Sequence, residues 1–168
     1  MLNRLYVHVP FCIKKCHYCA FVSSAPEQKD LVDYPSLLMS ELQLQKVEID
    51  PLVSIYFGGG TPSLLQPQQI STMLENISEQ AGISINAEIT LEVNPGTVDK
   101  TTLLAFRSAG INRLSMGIQS FDNCFLEGLG RIHTTEQAHM AFRNAREAGF
   151  NNISIDLIHS LPDQTLHQ

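Results

Sequence analysis

Residues 52–80 read LVSIYFGGGTPSLLQPQQISTMLENISEQ. Leu52 to Phe57 reads as a strand, Gly58 to Gly60 as the turn that ends it, and Pro67 to Gln80 as a helix. The same order recurs on both sides. Upstream, Leu5 to Val9 reads as a short strand, Cys12 to Ala25 as a loop without a stable period, and Asp33 to Gln45 as a roughly helical run through Leu37, Leu38, Leu42 and Leu44. Downstream come a strand at Ala87 to Val93, a helix at Asp99 to Ser108 ended by Gly110, and a strand at Arg113 to Ile118. A helix at Thr135 to Ala148 stopped by Gly149 and a strand at Asn152 to Ile158 complete the series.

Strand, helix, strand repeated in this way needs crossover connections, which between parallel strands are right-handed. The fold class is α/β with parallel strands. A doubly wound sheet would carry its Gly-rich loop after the first strand. Here distinctive polar residues follow each predicted strand, as in a barrel or partial barrel that builds its site at the strand C-terminal ends. Leu161 to Gln168 reads as the approach to another helix. The expected architecture is a partial (β/α) barrel truncated after about its fifth strand, with residues 1–168 forming only the N-terminal part of a core domain.

With 168 residues, 43% hydrophobic and 17% charged, the chain has the composition of one packed globular unit rather than a disordered, collagenous or coiled-coil one. Its net charge of -6 lacks the basic footprint of a nucleic-acid binder. No apolar run reaches the roughly 18 residues of a transmembrane segment, and Met1 to Pro10 does not read as a signal peptide. A cytoplasmic location is expected. Cysteines there stay reduced, and three of the four fall within eight residues, which points to a metal or cofactor site rather than a disulfide framework.

Those three are Cys12, Cys16 and Cys19, spaced C-x3-C-x2-C on the loop after the first strand. Three thiolates can hold an iron-sulfur cubane and leave one iron open to a small molecule. Lys14 and Lys15 beside them offset negative charge or simply face water. The alternatives are a zinc knuckle completed by His17 or His8, or thiols that bind nothing; structural zinc normally uses a second ligand arm, and none is visible. Cys124 lies outside the motif and reads as a small, partly buried thiol.

Gly58-Gly59-Gly60-Thr61-Pro62-Ser63 lets the backbone approach a polar group and turn amides toward it, with Thr61 adding a hydroxyl. It should cradle a polar group, although it matches neither the phosphate-loop nor the dinucleotide pattern; the alternative is a plain tight turn ending a strand. Glu92 at the end of the third strand is suited to accept hydrogen bonds. Gln119 stands after the fourth strand and Asp156 within the fifth, near Arg131 only if the fold brings them together. Singly each fits a cap, a loop or a surface pair; together, polar groups at successive strand ends converge on one mouth.

The motif set resembles the radical S-adenosylmethionine superfamily. The resemblance rests on the cysteine motif, Tyr6-Val7-His8-Val9-Pro10-Phe11-Cys12, the GGGTPS run, Glu92-Val93-Asn94-Pro95, Leu129-Gly130-Arg131 and Ile155-Asp156-Leu157-Ile158. Within it, these motifs are similar to the branch that holds oxygen-independent coproporphyrinogen III dehydrogenase and the HemW-type haem chaperones. The resemblance implies a 4Fe-4S cluster on Cys12, Cys16 and Cys19, whose open iron binds the amino and carboxylate groups of S-adenosylmethionine. Electron donation then splits the carbon-sulfur bond into methionine and a 5'-deoxyadenosyl radical. It further implies Tyr6 beside the ligand, Tyr18 in the cluster loop, and Gly59, Gly60 and Thr61 at the methionyl end. Glu92, Gln119, Arg131 and Asp156 would complete the nucleoside and carboxylate contacts.

Departures choose within the branch. The dehydrogenase pattern has another cysteine two residues after the third and an N-terminal extension, whereas this chain has Phe21 and starts just before Leu5. Both favour the chaperone, which binds haem as cargo and passes it to acceptor proteins. The alternatives are oxidative decarboxylation of coproporphyrinogen III and a zinc-binding interaction module. Ile158-His159-Ser160-Leu161-Pro162 stands where the branch has Tyr-Gly before Leu-Pro, which leaves that turn open. His159 alone does not define a haem ligand, and no C-x-x-C-H attachment motif is present.

Overall fold

The structure, a computed structural model, describes residues 2–45 and 49–165. Five strands form one sheet in the order β1-β2-β3-β4-β5. They are β1 (Leu2–Val9), β2 (Ile49–Gly59), β3 (Ile83–Val93), β4 (Arg113–Gln119) and β5 (Asn152–Leu157). Every neighbouring pair is parallel. Helices α1 (Gln28–Leu44), α2 (Pro67–Ala81), α3 (Lys100–Ser108) and α5 (Thr135–Glu147) make the crossovers. A short α4 (Asn123–Gly128) lies between β4 and α5. The sheet is open, with β1 and β5 at its edges. This is the partial barrel expected from the alternation.

Successive side chains of a strand point to opposite faces of the sheet, and the two faces differ in chemistry. On one face Ile55, Phe57, Leu91, Leu114 and Met116 are fully buried. They join one continuous core with Ile70, Ile77, Leu103, Phe106 and Ala145 from the helices. The other face carries Tyr56, Glu92, Ser115, Gly117 and Asp156, and its register is parallel throughout: Gly117 is paired with Asp156 and Glu92 with Ser115. On β5 the helix-side residues Ile155 and Leu157 are exposed.

Helix starts follow local chemistry. Asp99 caps α3 by accepting from Thr102 N–H, and Thr134 with Gln137 forms a reciprocal capping box on α5. Helix α2 begins at Pro67, where a proline's missing N–H is harmless. Helix α1 begins at Gln28, five residues before the expected Asp33. The proline at position 35 looks like a helix start, yet it lies inside α1. Pro35 cannot donate to Leu31 O, and Gln69 Nε2 of α2 donates to that carbonyl instead at 2.7 Å. Helix α4 went unread because six residues are too few to show a period; Asp122, which caps it, was the available signal.

The approach to a sixth helix is not seen over 161–165, where a turn falls at Pro162 and Asp163; positions 166–168 lie outside the described residues. Cys124 is exposed rather than partly buried, because it occupies the outer side of the first turn of α4. Among the described residues no helix is long and apolar enough to cross a membrane.

Candidate functional site

The loop after β1 is closed at its root by Cys12 N–H donating to Ser24 O (3.0 Å) and Ser24 N–H donating to Pro10 O (2.9 Å). It leans over the C-terminal end of β2, where Gly60 N–H donates to Val9 O at 2.7 Å. Here glycine is required by close approach: a Cβ on Gly60 would stand 2.6 Å from Phe11 O and 2.9 Å from Cys12 Sγ. Thr61 Oγ1 lies 3.7 Å from the same sulfur. The glycine run therefore serves first to seat the cysteine loop on the strand ends. Its amides at Gly59 and Gly60 are not left free for a ligand, since one is bonded to Glu92 and the other to Val9.

Glu92 accepts from Tyr56 Oη at 2.8 Å and from Gly59 N–H at 3.1 Å. Burial pushes its carboxyl above the usual range, and the two hydrogen bonds pull it back. The Tyr56 phenol is pushed up to about 12, first by burial and then by its bond to Glu92. Ser115 Oγ donates to Asp156 Oδ2 at 3.4 Å, so β4 and β5 present a joined hydroxyl and carboxylate. Arg131 follows α4 and turns back into the mouth. Its Nη2 donates to Gly117 O at 2.5 Å, and its Nη1 lies 3.4 Å from Cys16 Sγ and 3.5 Å from Tyr18 Oη. Its Nε is buried with no partner among the described residues.

His133 is the buried hinge of this wall, 3% exposed. Its Nε2 donates to Ile118 O at 3.2 Å and its Nδ1 lies 3.2 Å from Asn94 Oδ1. It thus ties the turn after β3 to the end of β4, where Gln119 takes a left-handed φ of 71°. Burial, and secondly the Arg131 charge, lower its pKa to about 4.

A cavity of about 210 Å³ opens between the cysteine loop, Glu92, Ser115, Asp156 and Arg131. Cys12, Cys16, Cys19, Tyr18, Gly59, Gly60, Thr61, Glu92, Gln119, Arg131 and Asp156 all line it. The fold brings Asp156 and Arg131 to one site, as their use together demands. Tyr6 is the exception. It lies outside that lining, stacked on Tyr56 at a ring distance of 6.0 Å with its hydroxyl 3.2 Å from His8 Nδ1. Tyr56, Ser115, Asn94 and His133 were not singled out from the sequence; strand alternation in register with Glu92 was the signal for the first two.

The donor set fits a cluster with one open iron. Three thiols of one loop face the cavity, and no fourth cysteine and no histidine lines it. The orphaned Arg131 Nε supplies a buried donor for an anionic group. Among the described residues no three His, Cys, Asp or Glu side chains are gathered tightly enough to hold a metal ion. A cubane takes one thiolate on each of three irons, so three thiols spread along one wall of the cavity suit it.

The architecture is a parallel α/β half-barrel with three loop thiols facing polar strand ends. The family model described as the Radical SAM superfamily matches residues 6–168, and the chain belongs to that superfamily. It is 44% identical over 171 residues to the heme chaperone HemW of Haemophilus influenzae, covering 98% of this chain and 45% of that protein. Against the heme chaperone HemW of Escherichia coli it is 38% identical, covering 98% of this chain and 44% of that one. The solved coproporphyrinogen III oxidase (HemN) of Escherichia coli superposes with a TM-score of 0.86 at 34% identity, over 96% of this chain and 38% of that chain. The chain thus spans under half the length of these relatives.

Proposed function

We propose that the chain is the cluster-bearing part of a haem chaperone of the HemW type, cytoplasmic, which carries haem to acceptor proteins. One observation carries this reading: Cys12, Cys16 and Cys19 line the same cavity as Glu92, Gln119, Arg131 and Asp156. The similarity to the chaperones over nearly the whole chain, together with Phe21 in place of a further cysteine, supports the chaperone over the dehydrogenase.

Cys12, Cys16 and Cys19 would hold a 4Fe-4S cluster, and Glu92, Gln119, Arg131 and Asp156 would hold S-adenosylmethionine. When bound, the cluster supplies the electron that splits the sulfonium carbon-sulfur bond. Arg131 sets a part-buried guanidinium beside Cys16 and keeps a buried Nε–H without a partner among the described residues, which suits a carboxylate or cluster sulfide. Glu92 and Asp156, facing the same space, suit the hydroxyls or ammonium of the ligand. Tyr18 shields the loop side of the cavity. Tyr6 acts one step back, through Tyr56.

Anaerobic reconstitution is expected to give about four iron and four sulfide per chain. Haem added to the protein extended to the length of its relatives is expected to give a saturable Soret shift; without that shift the chaperone reading fails. One zinc and no sulfide would favour the interaction module, and conversion of coproporphyrinogen III to protoporphyrinogen IX would favour the dehydrogenase.

A further inference from the structure

The cysteine loop is held at its root by strand-like pairing, but its tip, with Cys16 and Cys19, is held from outside the loop. The holding residue is His17. Its backbone N–H donates to Leu129 O at 3.0 Å. Its Nδ1 donates to Gly128 O at 3.0 Å, across a separation of 111 residues. Both carbonyls sit at the C-terminal end of α4, where a helix leaves its last carbonyls without partners of its own. Gly130 follows with a left-handed φ of +73°, and a Cβ there would stand 3.1 Å from the imidazole ring. One residue later Arg131 reaches back to Cys16 Sγ and to Gly117 O. A single segment, 128–131, therefore grips the loop tip twice.

We propose that His17 is a positioning residue for the cluster loop, which sets Cys16 and Cys19 against Arg131 by donating to Gly128 O and packing on Gly130. This assigns the imidazole a role other than metal ligation: its Nδ1 is bonded to a carbonyl, and the ring does not line the cavity of the three thiols. It also gives α4 a purpose, as the bed on which the loop rests. A change at the loop tip is then coupled to the placement of the guanidinium, because both hang from the same residues. The inference rests on the cluster reading only where iron is measured.

The test uses the full chain, reduced and metal-free, with each cysteine's alkylation by iodoacetamide followed by peptide mass spectrometry. His17→Phe keeps a ring and removes the donor; His17→Asn keeps a donor. In the Phe variant Cys16 and Cys19 are expected to react about threefold faster, the scale of one lost exposed hydrogen bond, while Cys12 at the root keeps its rate. The Asn variant is expected to return both rates toward the parent. Gly130→Ala displaces the ring from the other side and should give the same order of rates, and it carries the test with the Asn variant if the Phe variant does not fold. After reconstitution, loss of iron to a chelator should accelerate by a similar factor in the Phe variant and not in the Asn variant. Unchanged Cys16 and Cys19 rates, equal acceleration of Cys12, or an Asn variant that behaves like Phe overturns the proposal. If the protein takes up no cluster, the function reading fails while the thiol rates still decide the role of His17.

Discussion

The two faces of the sheet come from the same strands, and neighbouring residues have opposite fates. Phe57 is fully buried against the helices, while Tyr56 beside it bonds to Glu92 over the cavity. Leu91 and Glu92, and Met116 and Gly117, divide in the same way. The helix face is a close-packed apolar layer whose identity is set by volume. The cavity face is set by hydrogen bonding and charge, and tolerates a glycine where a guanidinium must reach a carbonyl. Stability is thereby stored on one side and chemistry on the other, and a substitution should report which side it touches.

The largest effect should come from the apolar side. Phe57→Ala removes a fully buried ring and is expected to destabilise the fold by about 3–5 kcal/mol, seen as a lower urea midpoint. A loss below about 1 kcal/mol would mean that the packing described for this face is not what stabilises the sheet.

His133 sharpens the contrast at the seam between the faces. Its folded pKa near 4 lies below the usual 6.5, so its contribution is complete above about pH 6.5 and is lost as pH falls toward 4. His133→Gln cannot charge, and the difference between its urea stability and the parent's should therefore shrink as pH falls through that window. A difference that stays flat from pH 7 to pH 4 would place the imidazole in water.

On the cavity side, Glu92→Gln is expected to weaken S-adenosylmethionine binding to the reconstituted protein by at least tenfold, about 1.4 kcal/mol, in a calorimetric titration. Its urea midpoint should move far less than that of Phe57→Ala. Equal damage to stability and binding would erase the distinction between the faces. The smallest effect belongs to neither face: the Lys100–Glu147 pair at 2.6 Å is exposed on both sides, and Lys100→Ala should leave the urea midpoint unchanged.

Much of this was legible in the linear order of residues. The α/β alternation could be read because strand and helix periods are local, and most predicted elements overlap the observed ones. The exceptions have physical causes. Helix α1 starts five residues before the expected Asp33 and runs through Pro35, whose missing N–H is replaced at Leu31 O by Gln69, on another helix. Helix α4 is too short for a period, and Cys124 is exposed because it lies on the outer side of its first turn. Among the candidate site residues, Glu92, Gln119, Arg131 and Asp156 do meet at one cavity, since parallel strands bring their C-terminal ends to one mouth. Tyr6 does not, because β1 is an edge strand and Tyr56 stands between it and Glu92.

The sequence by itself determined the strand-and-helix order, the thiol spacing and the glycine run, because each depends on residues a few positions apart. Only the tertiary structure decided that the glycine amides turn to Glu92 and Val9, that Arg131 lies beside Cys16, and that His17 rests on α4. Those meetings span from about 33 to 115 residues and depend on strand register and crossover geometry, which no local pattern encodes.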